Sequence, residues 1–68
     1  MAYLVQVHDD GDTEIKQVEV RPDPASSPHI VLDTVEDVAR ELKDYGHEED
    51  RINEALSMAS YSTDWVEV

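Results

Sequence analysis

The chain contains no cysteine, so neither a disulfide framework nor a thiolate metal site can hold it together. Small secreted domains depend on such staples, and their absence sets the expectation of a cytoplasmic protein. Basic residues are scarce as well: five Lys and Arg stand against seventeen Asp and Glu, for a formal net charge of -12. Nonspecific nucleic-acid affinity comes from Lys and Arg displacing counterions along a phosphate backbone. Lys16, Arg21, Arg40, Lys43 and Arg51 are scattered among acids, so direct nucleic-acid binding is not expected. Long apolar runs are missing too. No stretch approaches the ~20 residues of a membrane span, and MAYLVQVHDD has neither the basic start nor the apolar run of a signal peptide, so no membrane partner is expected. With only Gly11 and Gly46, no glycine-rich loop can cradle a phosphate.

What is present is organised. A chain of 68 residues makes a single domain, and folding at that size hides only roughly 60% of the surface that the unfolded chain exposes, so the core is thin. Hydrophobic residues make up 40% of the chain and fall at regular periods, which argues against disorder. Tyr3, Val5 and Val7 alternate with Leu4, Gln6 and His8, the period of a half-buried strand. If Asp10 and Gly11 form a two-residue hairpin loop, Asp9 faces Asp12, and Val7, Val5 and Tyr3 pair with Glu14, Lys16 and Val18. That register places Val18 and Val20 on the face of Tyr3, Val5 and Val7. It leaves Leu4 and Ile15 on the opposite face, either covered by the C-terminal segment or exposed.

RPDPASSP, residues 21–28, carries three prolines and reads as a surface connection. HIVLD then supplies a short edge strand. Asp33 as N-cap with Glu36 at the third helical position makes a capping box, followed by Val35, Val38, Ala39 and Leu42 at helical spacing. Gly46 ends that helix in the left-handed conformation. HEED opens a second helix, with His47 as a candidate N-cap and Ile52, Ala55, Leu56 and Ala59 on one stripe. DWVEV closes the chain as a strand. The expected fold is α+β: a small antiparallel β-sheet, built from the N-terminal hairpin plus the short strand and the C-terminal strand, covered on one face by two helices.

Candidate chemistry is sparse. HDDGDTE, residues 8–14, packs four carboxylates and a histidine around one glycine. A helix-loop-helix calcium loop needs oxygen ligands at alternate positions over about twelve residues and a closing bidentate Glu, a spacing this stretch lacks. Asp-Gly between alternating apolar runs signals a turn instead. His8, His29 and His47 have no second histidine three or four residues away to form a helical ligand pair. None of Ser26, Ser27, Ser57, Ser60 and Ser62 sits in a glycine-serine-glycine elbow. Carboxylate pairs are so abundant that proximity of two acids is no sign of acid-base catalysis. The reading is a non-enzyme with no cofactor, no metal and no catalytic residue.

The surface is what remains. Glu36, Asp37, Glu41 and Asp44 fall outside the apolar stripe of the first helix, and Glu48, Glu49, Asp50 and Glu54 carry the acidic run onto the second. Carboxylates four residues apart on a helix stand about 5–6 Å apart, a spacing comparable with that of nucleic-acid phosphates. With Tyr45, Tyr61 or Trp65 as aromatic anchors, these residues form the expected binding surface for a protein with a basic surface, such as a nucleic-acid-binding enzyme. The expected function is a small inhibitor that occludes such a site, a DNA or RNA mimic of the anti-CRISPR, antirestriction or antitoxin kind. The outer sheet face is a second candidate surface, for a homodimer. The competing expectation is an acidic housekeeping domain from a salt-loving host, its charge serving solubility.

The order of strand, DDG, strand, short apolar segment and DTVEDVARELKD resembles the start of HicB-like antitoxins over about the first 44 residues. That resemblance implies a small acidic protein with a partly degraded RNase H-like fold that blocks a basic RNase toxin. The chain departs from the pattern in two places: it lacks the proline-and-glycine stretch after the second strand, and a second helix follows where a strand belongs. The resemblance therefore serves as a model of an acidic blocker, and no family is assigned.

Overall fold

The alternating apolar residues of the N-terminal stretch form β1 (Ala2–Val7), which turns back into β2 (Thr13–Val18). The computed structural model describes residues 1–68 and continues through β3 (Ile30–Leu32), α1 (Val35–Asp44), α2 (Glu49–Ala59) and β4 (Val66–Glu67). The strands form one antiparallel sheet in the order β3-β1-β2-β4. This is the α+β architecture expected from the sequence, with both helices over the same face.

The hairpin departs from expectation by one residue. Val7 pairs with Thr13, Val5 with Ile15 and Tyr3 with Gln17, across a three-residue loop of Asp9, Asp10 and Gly11. His8 N donates to Asp12 O at 2.8 Å and Gly11 N to His8 O at 2.9 Å. A two-residue type I′ loop would force Asp10 as well as Gly11 to positive φ. The longer loop confines that demand to Gly11, at φ 94°, and no non-glycine residue in the chain has positive φ. Asp10 instead accepts a hydrogen bond from Asp12 N at 3.0 Å, the usual service of Asp in a turn.

A slip of one residue turns every β2 side chain to the other face. Ile15, expected outside beside Leu4, is fully buried opposite Val5, and Thr13 is buried with it. Val18 pairs with Ala2 on the outer face, while Val20 lies past the strand end with 81% of its surface exposed. Only Leu4 keeps its expected outward place, opposite Lys16.

The inner face carries the core. Tyr3, Val5, Ile15 and Val66 from the sheet pack against Val38 and Leu42 of α1 and Ile52, Ala55, Leu56 and Ala59 of α2. Complete burial of side chains such as Ile15, Leu42 and Ile52 stabilises the fold by about 1.5–3 kcal/mol each before entropy is set against it.

The helix ends explain how the acids are presented. Thr34, not Asp33, caps α1: its side chain accepts from Asp37 N at 3.1 Å. Asp33 is engaged by Arg21 across the proline-rich connection, so the neighbouring hydroxyl takes the cap. Gly46, at φ 91°, closes the helix as expected, with Gly46 N donating to Lys43 O at 3.0 Å and His47 N to Leu42 O at 3.1 Å. Both bonds belong to a Schellman ending. His47 is thus committed to the end of α1, and Glu48 occupies the N-cap of α2 without a side-chain cap bond. Glu49 and Asp50 in the first turn offset that deficit through the positive helix end. No helix is long and apolar enough to cross a membrane.

Candidate functional site

Because both helices turn their apolar stripes to the sheet, their acids point away from it. Glu36, Asp44, Glu48, Glu49, Asp50 and Glu54 are exposed, and Asp37 and Glu41 are half-buried. Tyr45, at the C-cap of α1 and between Asp44 and Glu48 in the chain, is 48% exposed. Asp37 and Glu41, like Asp50 and Glu54, stand one helical turn apart, at about 5–6 Å between Cβ atoms. The surface is not purely acidic. Arg40, Lys43 and Arg51 interleave with the eight acids between Glu36 and Glu54, and Arg40 pairs with Asp37 at 3.3 Å. That is the one ion pair on the helices; across the molecule three of the seventeen acids are paired, which leaves fourteen without a cation in contact.

Trp65 does not belong to this face. It precedes Val66, which pairs with Ile15 toward the core, so Trp65 falls opposite Lys16 on the outer side of the sheet. Lys16 Nζ lies 5.9 Å from its ring centroid, and the His29 ring meets it edge-on at 4.9 Å. His29 adjoins β3 at the opposite edge of the sheet, so the two aromatic side chains bridge the outer face over β1 and β2, where Leu4 sits. The structure therefore separates the expected anchors: Tyr45 stands with the helical acids, and Trp65 with Leu4, Val31 and His29 behind the sheet. All four residues of that outer patch are half-buried.

The corrected register also assembles a polar trio on the outer face. Gln6 Nε2 donates to Glu14 Oε1 at 3.1 Å, and His8 Nε2 meets the same oxygen at 2.5 Å. The hydrogen bond to Glu14 raises the His8 pKa above its ordinary 6.5, and the same bond to His8 holds Glu14 below its ordinary 4.5. Glu14 lies directly opposite Glu67, a like-charge pair that weakens strand pairing and that protonated His8 offsets. The turn acids Asp9, Asp10 and Asp12 are exposed, and no group of His, Asp and Glu is arranged to hold a metal ion.

One feature went unseen in the sequence: an open groove of about 390 Å³ between residues 17–19 and residues 59–63. No histidine lines it. Ser60 and Ser62 there donate to the backbone carbonyls of Ser57 and Asp64, so neither hydroxyl is set beside a base as a nucleophile. No protein-family model, curated protein or solved structure matches the chain.

Proposed function

We propose that this protein is a non-enzymatic, acidic binding module that docks on the basic surface of another protein and occludes its nucleic-acid site. One observation supports the reading above others: α1, α2 and their junction carry eight acids with one ion pair among them, and an exposed tyrosine stands between the two helices in the chain. Unpaired surface carboxylates accelerate encounter with a basic partner, and a central aromatic supplies an anchor. Tyr45 takes that role here; Trp65, on the far side of the sheet, does not.

The reading is tested by position against number. Glu48→Lys, Glu49→Lys and Glu54→Lys together bring the net charge from -12 to -6. Asp9→Lys, Asp12→Lys and Glu67→Lys do the same at exposed acids that make no ion pair. With a nucleic-acid-binding protein retained from the host on the immobilised module, the helical variant should lose most of the affinity and the other variant little. Nucleic acid should compete for the same partner. Equal loss in both variants reduces the interaction to diffuse electrostatics and removes the patterned face.

A second reading rests on the other nine acids, which lie outside the helical pair on the β1–β2 hairpin, the connection and the C-terminal segment. Charge on every side is what solvation in a salt-loving host requires. A halophilic domain gains folding stability steeply into molar salt, whereas a docking module is already folded at physiological salt and loses partner affinity as salt rises.

A further inference from the structure

We propose that the free edge of β2 is a docking site for an extended, basic segment of a partner protein, which adds to the sheet as a strand along the groove beside α2. β4 pairs with β2 only at Glu14 and Ile15, yet β2 continues to Val18. Successive residues of an antiparallel strand direct their backbone groups to alternate sides. His8 N donates to Asp12 O, and Val68 N to Thr13 O at 3.0 Å. Even-numbered residues of β2 therefore face β1, and Thr13, Ile15 and Gln17 face β4. Thr13 and Ile15 meet β4 there; Gln17 meets nothing, and its N–H and C=O have no hydrogen-bond partner.

The chain does not close this gap itself. Asp64 N donates to Ser62 Oγ at 3.2 Å, in a bend ahead of β4 that makes no ladder bond to Gln17. The space left is the groove of about 390 Å³. Tyr61 in its wall is 79% exposed, and Val20 just past its end is 81% exposed. Main-chain hydrogen bonds to Gln17 would hold an added strand, and its alternate side chains would face Ala59 and Tyr61.

Charge selects the occupant. The groove walls include Glu19 and no cation, on a protein of net charge -12. A second copy would bring another such charge against the first, whereas a Lys- or Arg-bearing strand is attracted. The groove contains none of the acids between Glu36 and Glu54, so this site and the helical face succeed or fail separately.

The test is an amide chemical-shift titration with a capped peptide of about seven alternating Lys and Val residues, the length of an ordinary strand. Two controls keep its charge: the peptide N-methylated at every amide, and a version interrupted by prolines. Saturable shifts at Gln17 and residues 59–63 are expected, with both controls binding about tenfold more weakly through lost main-chain bonds. Gln17→Pro removes the same N–H from the protein side while sparing the β1 ladder, and is expected to weaken binding about as much. If that variant does not fold, the N-methylated peptide carries the comparison. Equal affinity for the interrupted peptide, shifts confined to the helical acids, or no binding overturns the proposal. Gln17 shifts that grow with protein concentration in the absence of peptide assign the edge to a second copy, and overturn it equally.

Discussion

Replacing Ile15 tests the hairpin register, and with it which side of β2 meets the helices. Ile15 has no exposed surface and sits among ten core residues. Truncation of such a side chain to alanine costs about 2–5 kcal/mol, from lost transfer energy and the cavity left behind. At the usual stability per residue, a chain of 68 residues has about 3–10 kcal/mol in total. Ile15→Ala therefore removes a large share of it, and Ile15→Val, at about 1 kcal/mol, is the measurable variant. With a urea dependence of about 1 kcal/mol per molar, the unfolding midpoint of Ile15→Val should fall by about 1 M. Lys16→Ala, on the outer face beside Trp65, should cost less than about 1 kcal/mol, the range of an exposed cation-aromatic contact. Circular dichroism in a urea series measures both. A neutral Ile15→Val together with a costly Lys16→Ala would restore the two-residue loop and refute the register.

Thr34→Ala should cost about 1 kcal/mol through the lost cap of α1, and Asp33→Ala less, since its pair with Arg21 is exposed on both sides and such pairs are worth about 0–1 kcal/mol; the reverse order in urea denaturation restores Asp33 as the cap. Gly11→Ala should cost about 1–2 kcal/mol although open space surrounds it, because φ 94° strains any L side chain; a neutral substitution means that the loop readily adopts another conformation. His8 should titrate above 6.5 in a histidine NMR titration, and Glu14→Gln should bring it back toward that value; an unshifted parent histidine removes the pair. The signs follow from linkage: protonated His8 stabilises below pH 6.5 and this is lost as pH rises through its higher folded value, while Glu14 contributes above 4.5 and loses this as pH falls through its lower folded value, so both act together between those limits.

Where the sequence spoke through helical periodicity, the structure followed except at Val35, which lies in the first turn of α1 with 45% of its surface exposed. Val38 and Leu42, and Ile52, Ala55, Leu56 and Ala59, are the buried stripes expected of them, because three- and four-residue spacing has one solution on a helix. Gly46 was equally legible, since a left-handed helix ending admits few other residues. The hairpin loop was not. Asp-Asp-Gly-Asp suits a two-residue and a three-residue loop alike, and the choice lies in which residues must take positive φ. Thr34 and Asp33 are both good caps, and no local pattern distinguishes them; in the structure Thr34 takes the cap and Asp33 pairs with the distant Arg21. The separation of Tyr45 from Trp65, and the groove beside β2, depend on where β4 lands, which no local pattern records.

The same fold links the charge to its own stability. Ten core residues hold together a surface on which fourteen of seventeen acids have no partner cation, so every acid brought together by folding is opposed by its neighbours. Whatever neutralises those acids in the folded state alone stabilises that state by mass action. Bulk cations do so without regard to position, and their effect grows with ionic strength on all faces at once. A basic partner does so only where its surface fits, and ionic strength weakens it. Under the proposed function the protein would have two routes to the same stabilisation, with opposite dependence on salt. The direction of the salt effect on its melting temperature, alone and then with a candidate basic protein added, separates the solvating reading of the acids from the proposed recognising one.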